Sequence, residues 1–304
     1  MIKKAYIILA HKNPMQLQRL VGALSDGCSH FFVHIDSRTG ISPFRIFLHS
    51  PKHISILPGI KTEWGGFGLV KAALNGLEAV FRSEEKFDHI ILLSGQDYPI
   101  KSNKQIDDFL ERHKGKNFLE HFPLPSPAKW SPGGGLYRVN KYFFGLKTCQ
   151  RYAAKSANFL GRLLPCMRRK TYDHMEAFAG SMWWIINSYA AQYIINFVAM
   201  NPGYVRFHRF TFAPDELFFH MILLNSKDDR IRSSIVNNDL HFIRWKDIKA
   251  SHPETIKKED LGDLLRSEAL FARKFDATAD AEILDLIDTH CRAANPVHTK
   301  EAVE

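Results

Sequence analysis

The sequence predicts an α/β fold, a mostly parallel central sheet flanked by helices, in one composite domain of 304 residues. Two observations predict it. Short apolar runs alternate with helical patterns through the first third of the chain, as in a sheet built from βαβ units. Those runs also end in polar residues, and the crevice beyond the strand ends is where open α/β sheets bind ligands. A hydrophobic content of 45% is ample for the core such a fold needs.

The elements follow in order. Residues 5–10, 31–35, 54–57 and 89–93 read as strands, and 15–24, 67–81 and 103–113 as helices. The polar strand ends are Ala10-His11, His34-Ile-Asp36, Thr62-Glu-Trp64 and Ser94-Gly-Gln-Asp97. Residues 123–135, rich in Pro and Gly, form a long loop and a candidate substrate lid. From Lys147 to Lys170 seven Lys and Arg residues occur without an acid, interleaved with Phe159, Leu160, Leu163 and Leu164. This stretch is either a solvated basic face or an interfacial helix that docks on anionic lipid. Residues 181–186 read as a strand, followed by a helix to Met200. Residues 240–245 read as a strand, and 259–271 and 280–292 as amphipathic helices.

Composition narrows the function. The net charge of +9 and pI near 9.3 favour an anionic partner. No nucleic-acid-binding motif accompanies that charge, and no nucleic-acid partner is expected. Cys28, Cys149, Cys166 and Cys291 are scattered, which reads as reduced thiols of a cytoplasmic protein. No run approaches the roughly 20 apolar residues of a membrane-spanning helix.

The segment Thr211-Phe-Ala-Pro-Asp-Glu-Leu-Phe-Phe-His220 places Asp215 and Glu216 at the mouth of an apolar helix with Pro214 at its first position. Such acids commonly complement a helix dipole; one of them could instead serve as a general base. Near the C-terminus Arg273 and Lys274 stand between Phe271 and Phe275, a packed cationic pair suited to a departing phosphate. The chain lacks Gly-x-Gly-x-x-Gly, the P-loop, Gly-x-Ser-x-Gly, His-Glu-x-x-His and Asp-x-Asp. A carboxylate, a polar crevice and fixed cations are the parts of a single-displacement group transfer.

Seven motifs in order resemble the core-2/I-branching N-acetylglucosaminyltransferases and peptide O-xylosyltransferases, glycosyltransferase family fourteen. They are Ile8-Leu-Ala-His11, Val33-His-Ile-Asp-Ser-Arg38, Thr62-Glu-Trp-Gly-Gly66, Leu92-Leu-Ser-Gly-Gln-Asp-Tyr-Pro-Ile100, Ala179-Gly-Ser-Met-Trp183, Pro214-Asp-Glu-Leu-Phe-Phe-His220 and Leu270-Phe-Ala-Arg-Lys-Phe-Asp276. The resemblance implies a GT-A-type fold with a nucleotide-binding half (1–115), an acceptor and catalytic half (116–295) and a flexible tail (296–304). It implies inverting, metal-independent transfer of a sugar from a UDP-sugar, without a cofactor, to a glycan or lipid-linked glycan. N-acetylglucosamine is the first expectation for the sugar and xylose the alternative; a non-catalytic binder on the same fold is a further alternative.

By position the resemblance makes Glu216 the catalytic base, and Arg273 with Lys274 the diphosphate clamp. Ala10, Asp36, Thr62, Glu63 and Trp64 become the uridine and ribose contacts. Gly180, Ser181 and Trp183 line the donor sugar, and Glu120 contacts the acceptor. A second basic diphosphate contact falls on His241 or Arg244, depending on registration. If it is His241, the site gains positive charge as pH falls through ~6.5. His220 is structural, and Asp215 a capping or orienting residue. The absence of the disulfides and membrane anchor of secreted relatives fits a bacterial cytoplasmic enzyme, with Lys147 to Lys170 at the inner membrane face.

Overall fold

A computed structural model describes residues 2–49, 53–131, 133–246 and 252–293. The strands are β1 (Lys4–Ala10), β2 (Ser29–Ile35), β3 (Ile54–Leu57), β4 (His89–Ser94), β5 (Asp97–Pro99), β6 (Asn117–Pro123), β7 (Phe178–Asn187), β8 (Ile235–Val236), β9 (His241–Ile243) and β10 (Phe271–Arg273). The helices are α1 (Pro14–Leu24), α2 (Gly68–Arg82), α3 (Asn103–Arg112), α4 (Tyr137–Asn140), α5 (Thr148–Leu163), α6 (Ser188–Met200), α7 (Pro202–His208), α8 (Phe218–Leu224), α9 (Asp229–Arg232), α10 (Leu261–Arg266) and α11 (Glu282–Ala293).

The main sheet runs β3-β2-β1-β4-β7-β6-β8, with β7 alone antiparallel to its neighbours. The expected class, a mostly parallel sheet flanked by helices, is the one observed. β1 and β4 are buried along their whole length, so their apolar runs are continuous, as a sheet covered on both faces requires. Alternate residues serve two cores. Tyr6, Ile8, Phe31 and Val33 pack with α1, α3 and α11; Ile7, Leu9, Phe32 and Leu92 pack with α2, α6 and α8. The anticipated strands 5–10, 31–35, 54–57 and 89–93 are present, each within a residue or two at its ends.

Two expected helices need correction. The helix read over 259–271 stops at Arg266, and Phe271 instead begins β10, which pairs parallel with β9 and antiparallel with β5 in a second, three-stranded sheet. Burial decides this. Leu270, Phe271 and Ala272 are almost wholly buried, and the Leu270 N–H bonds the Leu240 carbonyl. Tertiary packing overrides a local helical pattern. The helix expected to start at Pro214 is divided. Pro214–Glu216 form a separate 3₁₀ turn entered through Ala213 in the left-handed region (φ 46°), and α8 starts only at Phe218. Both carboxylates therefore sit on the turn.

The loop at 123–135, apart from Pro132, which lies outside the described residues, is closed on itself: Ser126 N–H bonds the Gly134 carbonyl at 2.8 Å. The tail 296–304 also lies outside them. None of the four cysteines is in a disulfide. Among the described residues no helix is long and apolar enough to cross a membrane.

Candidate active site

The C-terminal ends of β1 and β2 form one wall. Asp36, just past β2, is 1% exposed, and its backbone N–H bonds the Ala10 carbonyl. Its carboxylate accepts from Arg38 at 2.9–3.0 Å and from the backbone N–H and hydroxyl of Thr62. The Arg38 and Thr62 hydrogen bonds hold Asp36 well below the usual carboxylate range against the opposing effect of burial. Asp36 thus fixes the loop Thr62–Glu63–Trp64, and Arg38 closes it by donating to the Thr62 carbonyl. Glu63 points to Lys61, whereas Trp64 is half exposed and packs edge-on to Phe212.

That contact joins this wall to the turn carrying the acids. Ala213 N–H bonds the Gly65 carbonyl at 2.9 Å. Gly65 has φ 72°, and a Cβ there would stand 2.7 Å from the Phe212 ring, so only glycine allows the approach. Glu216, one-third exposed, receives Arg138 on Oε2. The Arg138 guanidinium lies over Trp130, 3.6 Å from the ring centroid, and over Phe212 at 5.3 Å. One carboxylate oxygen is held and the other, Oε1, is left for a partner.

Asp215 is a different group. It is buried, its Oδ1 has no hydrogen-bond partner, and burial together with the neighbouring Glu216 charge pushes its pKa up to about 7. Below that pH Asp215 carries no charge beside Glu216. Because the folded pKa is raised above the ordinary carboxylate value of 3.8, Asp215 favours folding at low pH. The native state becomes progressively costlier as pH rises from about 4 to 7. Asp215→Asn should therefore raise the thermal midpoint more at pH 8 than at pH 4. Melting curves at the two pH values check this; an equal shift at both would remove the buried acid as the cause.

The cations form the opposite wall. Arg273 on β10 ion-pairs with Asp97 at 3.2 Å and lies over the Trp183 ring at 4.1 Å. Asp97 in turn accepts from the Ser94 N–H and hydroxyl. Lys274 is half-buried, and its pKa is lowered by that burial and by the nearby charges of Arg273 and Lys12. Lys12 is paired with Asp276 at 2.6 Å, whereas no carboxylate among the described residues lies within 4 Å of the Lys274 ammonium. Concentrated positive charge with one unpaired ammonium suits a bound anion.

Several expected contacts are placed differently. Trp183 is 5% exposed and serves as the platform for Arg273. The His241 side chain is fully buried, stacked on Phe271, with Nδ1 on the Asp239 carbonyl and Nε2 3.9 Å from Asp97. Arg244 is bound to Asp260 and faces Glu254 and Asp263, lining a cavity of about 350 Å³ with Thr255, Lys257 and Glu259. Neither is an unpaired cation of the kind Lys274 is. Arg169, counted with the basic surface, is buried instead.

Glu120 is paired with Lys129 at 2.8 Å at a break in the β6–β7 ladder: Leu119 faces Trp184 but His121 faces Gly180. The extra residues of β7, which include Ser181, are thereby turned out of register. Gly180 is obligatory here, because a Cβ would fall 1.8 Å from the Glu120 carbonyl oxygen. His220 is buried and bonds that same carbonyl at 3.0 Å, a structural contact as anticipated. Sequence reasoning missed Arg138, Arg38 and Asp97 as site residues. The last two stand inside quoted motifs; Arg138 stands in none.

The described residues thus hold a cluster of positive charge at Arg273 and Lys274 and a carboxylate, Glu216, oriented by Arg138. The chain belongs to the Core-2/I-Branching enzyme family, whose model matches residues 4–266. Among curated proteins it is similar to xylosyltransferase 2 of Rattus norvegicus, 25% identical over 98% of this chain and 35% of that protein. It is also similar to xylosyltransferase 1 of Rattus norvegicus, 24% identical over 98% and 36%. The chain thus spans about a third of the length of these relatives. A solved structure, mouse xyloside xylosyltransferase 1 in apo form, shares 9% identity at a TM-score of 0.38, covering 88% of this chain and 97% of that one.

Proposed function

We propose that the chain is an inverting glycosyltransferase that moves a sugar from a UDP-sugar to a hydroxyl of a glycan or glycoconjugate. Membership of the family and the unpaired Lys274 beside Arg273 carry this reading. In one displacement the acceptor oxygen attacks the anomeric carbon while Glu216 takes the hydroxyl proton, and the bond to the diphosphate oxygen breaks. The electron pair leaves with the diphosphate, whose charge Lys274 and Arg273 stabilise. Uridine lies against Ala10 and the Asp36-anchored Thr62–Trp64 loop, the donor sugar near Gly180 and Ser181, and the acceptor near Glu120.

N-acetylglucosamine is the sugar we put first. The similarity to xylosyltransferases favours UDP-xylose as the second candidate. Thermal shift with UDP, UDP-N-acetylglucosamine and UDP-xylose, followed by product detection with each donor, tests the reading. Neither transfer nor donor hydrolysis with any of them would reduce the chain to a binder.

Lys274→Ala should weaken UDP binding about 10-fold or more, as loss of a charge-assisted contact implies; unchanged calorimetric affinity would remove Lys274 from the clamp. Leaving-group charge is carried here by side chains, and we assign no metal to the reaction. Excess EDTA should leave the rate unchanged, and activity restored by manganese would overturn that assignment.

A further inference from the structure

We propose that α5 is a membrane-docking helix that seats on an anionic lipid bilayer. Its two outward stripes carry the argument. Tyr152, Phe159 and Leu163, at i, i+7 and i+11, share one side of the helix and are 58–65% exposed. Leu160, Leu164 and Met167 continue this apolar surface at 40–46% exposed. Arg151, Lys155 and Arg162, at i, i+4 and i+11, form a second exposed stripe roughly 80° around the helix. Lys147, Arg168 and Lys170 extend it at the two ends, and no acid occurs from Lys147 to Lys170.

The remaining side holds the helix to the body. Asn158 exchanges two hydrogen bonds with the Tyr142 backbone, and Gly161 fits closely against the Met167 carbonyl. The apolar stripe is thus left uncovered by any described residue, on a helix fastened to the body from another side. Large apolar side chains beside a one-sign cationic stripe match the interface of a bilayer whose headgroups are negative. A solvated basic face has no need of exposed Phe159, Leu163 and Tyr152. Charge complementarity selects anionic lipid over a second copy of the chain, because two such surfaces would bring like charges together.

The test is co-sedimentation of the full chain with vesicles of phosphatidylcholine alone or of equimolar phosphatidylcholine and phosphatidylglycerol. Binding is expected only to the anionic vesicles and should fall as salt shortens the screening length. Lys155→Ala with Arg162→Ala should weaken partitioning about fivefold per cation removed. Phe159→Ser with Leu163→Ser should weaken it at least about tenfold. Both pairs lie on the exposed surface, and unchanged melting midpoints establish that the variants are folded. Wild-type protein that ignores anionic vesicles, or variant pairs that bind as well as wild type, would overturn the proposal. So would a dimer seen by sedimentation velocity and dissolved by the serine pair, since it would put a second copy on this face. None of these readouts depends on sugar transfer.

Discussion

Glu216→Gln should lower the transfer rate by about 10²–10⁴-fold, the usual worth of a general base, while leaving UDP affinity within about twofold. The asymmetry follows from placement. Glu216 sits on the 3₁₀ turn with Arg138, across the Gly65–Ala213 contact from the loop anchored by Asp36. The cations proposed to hold the diphosphate are on β10 and just after it. Glutamine retains an acceptor oxygen for Arg138, so the turn keeps its shape and only the proton acceptor is lost. Transfer rate with saturating donor and acceptor, measured alongside calorimetric UDP binding, separates the two quantities. A rate loss below about tenfold would remove Glu216 as the base. Equal losses in rate and UDP affinity would instead indicate a damaged donor site.

Arg169→Met should destabilise the fold by about 3–5 kcal/mol. Arg169 looks in sequence like one more cation in a basic run. In the structure it is 6% exposed and donates to the carbonyls of Arg138, Lys141, Phe207 and Phe210 and to the Thr211 hydroxyl, at 2.5–3.2 Å. Its guanidinium also lies over Phe207 at 4.0 Å, and burial pushes its pKa down to about 10. Methionine fills the volume but leaves the Arg138 and Lys141 carbonyls without a donor and strips the Thr211 hydroxyl of its charged partner, while the Phe207 and Phe210 carbonyls keep only their backbone N–H partners; each buried group left unpaired costs about 1–3 kcal/mol. Urea titration reads the loss directly; a midpoint within experimental scatter of wild type would show that the acceptors find other partners. Arg169→Lys should fall between, since three donors cannot serve five acceptors.

These cases show what was legible in the sequence. The parallel half of the sheet was readable because β1, β2 and β4 are long apolar runs that end in polar residues. The site's two acids and its Arg-Lys pair were readable because each lies in a contiguous motif. What could not be read depends on contacts distant in sequence. β10 is three residues long and carries no period; it is a strand only because β5 and β9 flank it. Arg138 looks like an isolated cation until Trp130 and Glu216 are brought to it. The burial of Arg169 rests on carbonyls 28 to 41 positions away. No window of sequence contains such information.

The small sheet has a practical consequence for anyone who shortens the protein. Gln16, near the start of the chain, ties together Gly95, Phe275 and Ala277, while Lys12 and Asn13 hold Asp276. The family match ends at residue 266, before all of these C-terminal partners and before Arg273 and Lys274. An expression boundary drawn at the end of that match would keep the parallel sheet and the proposed base. It would delete the cationic wall and the tether that joins one end of the chain to the other. Inactivity of such a fragment would say nothing about Glu216, because the proposed diphosphate clamp would be missing with it.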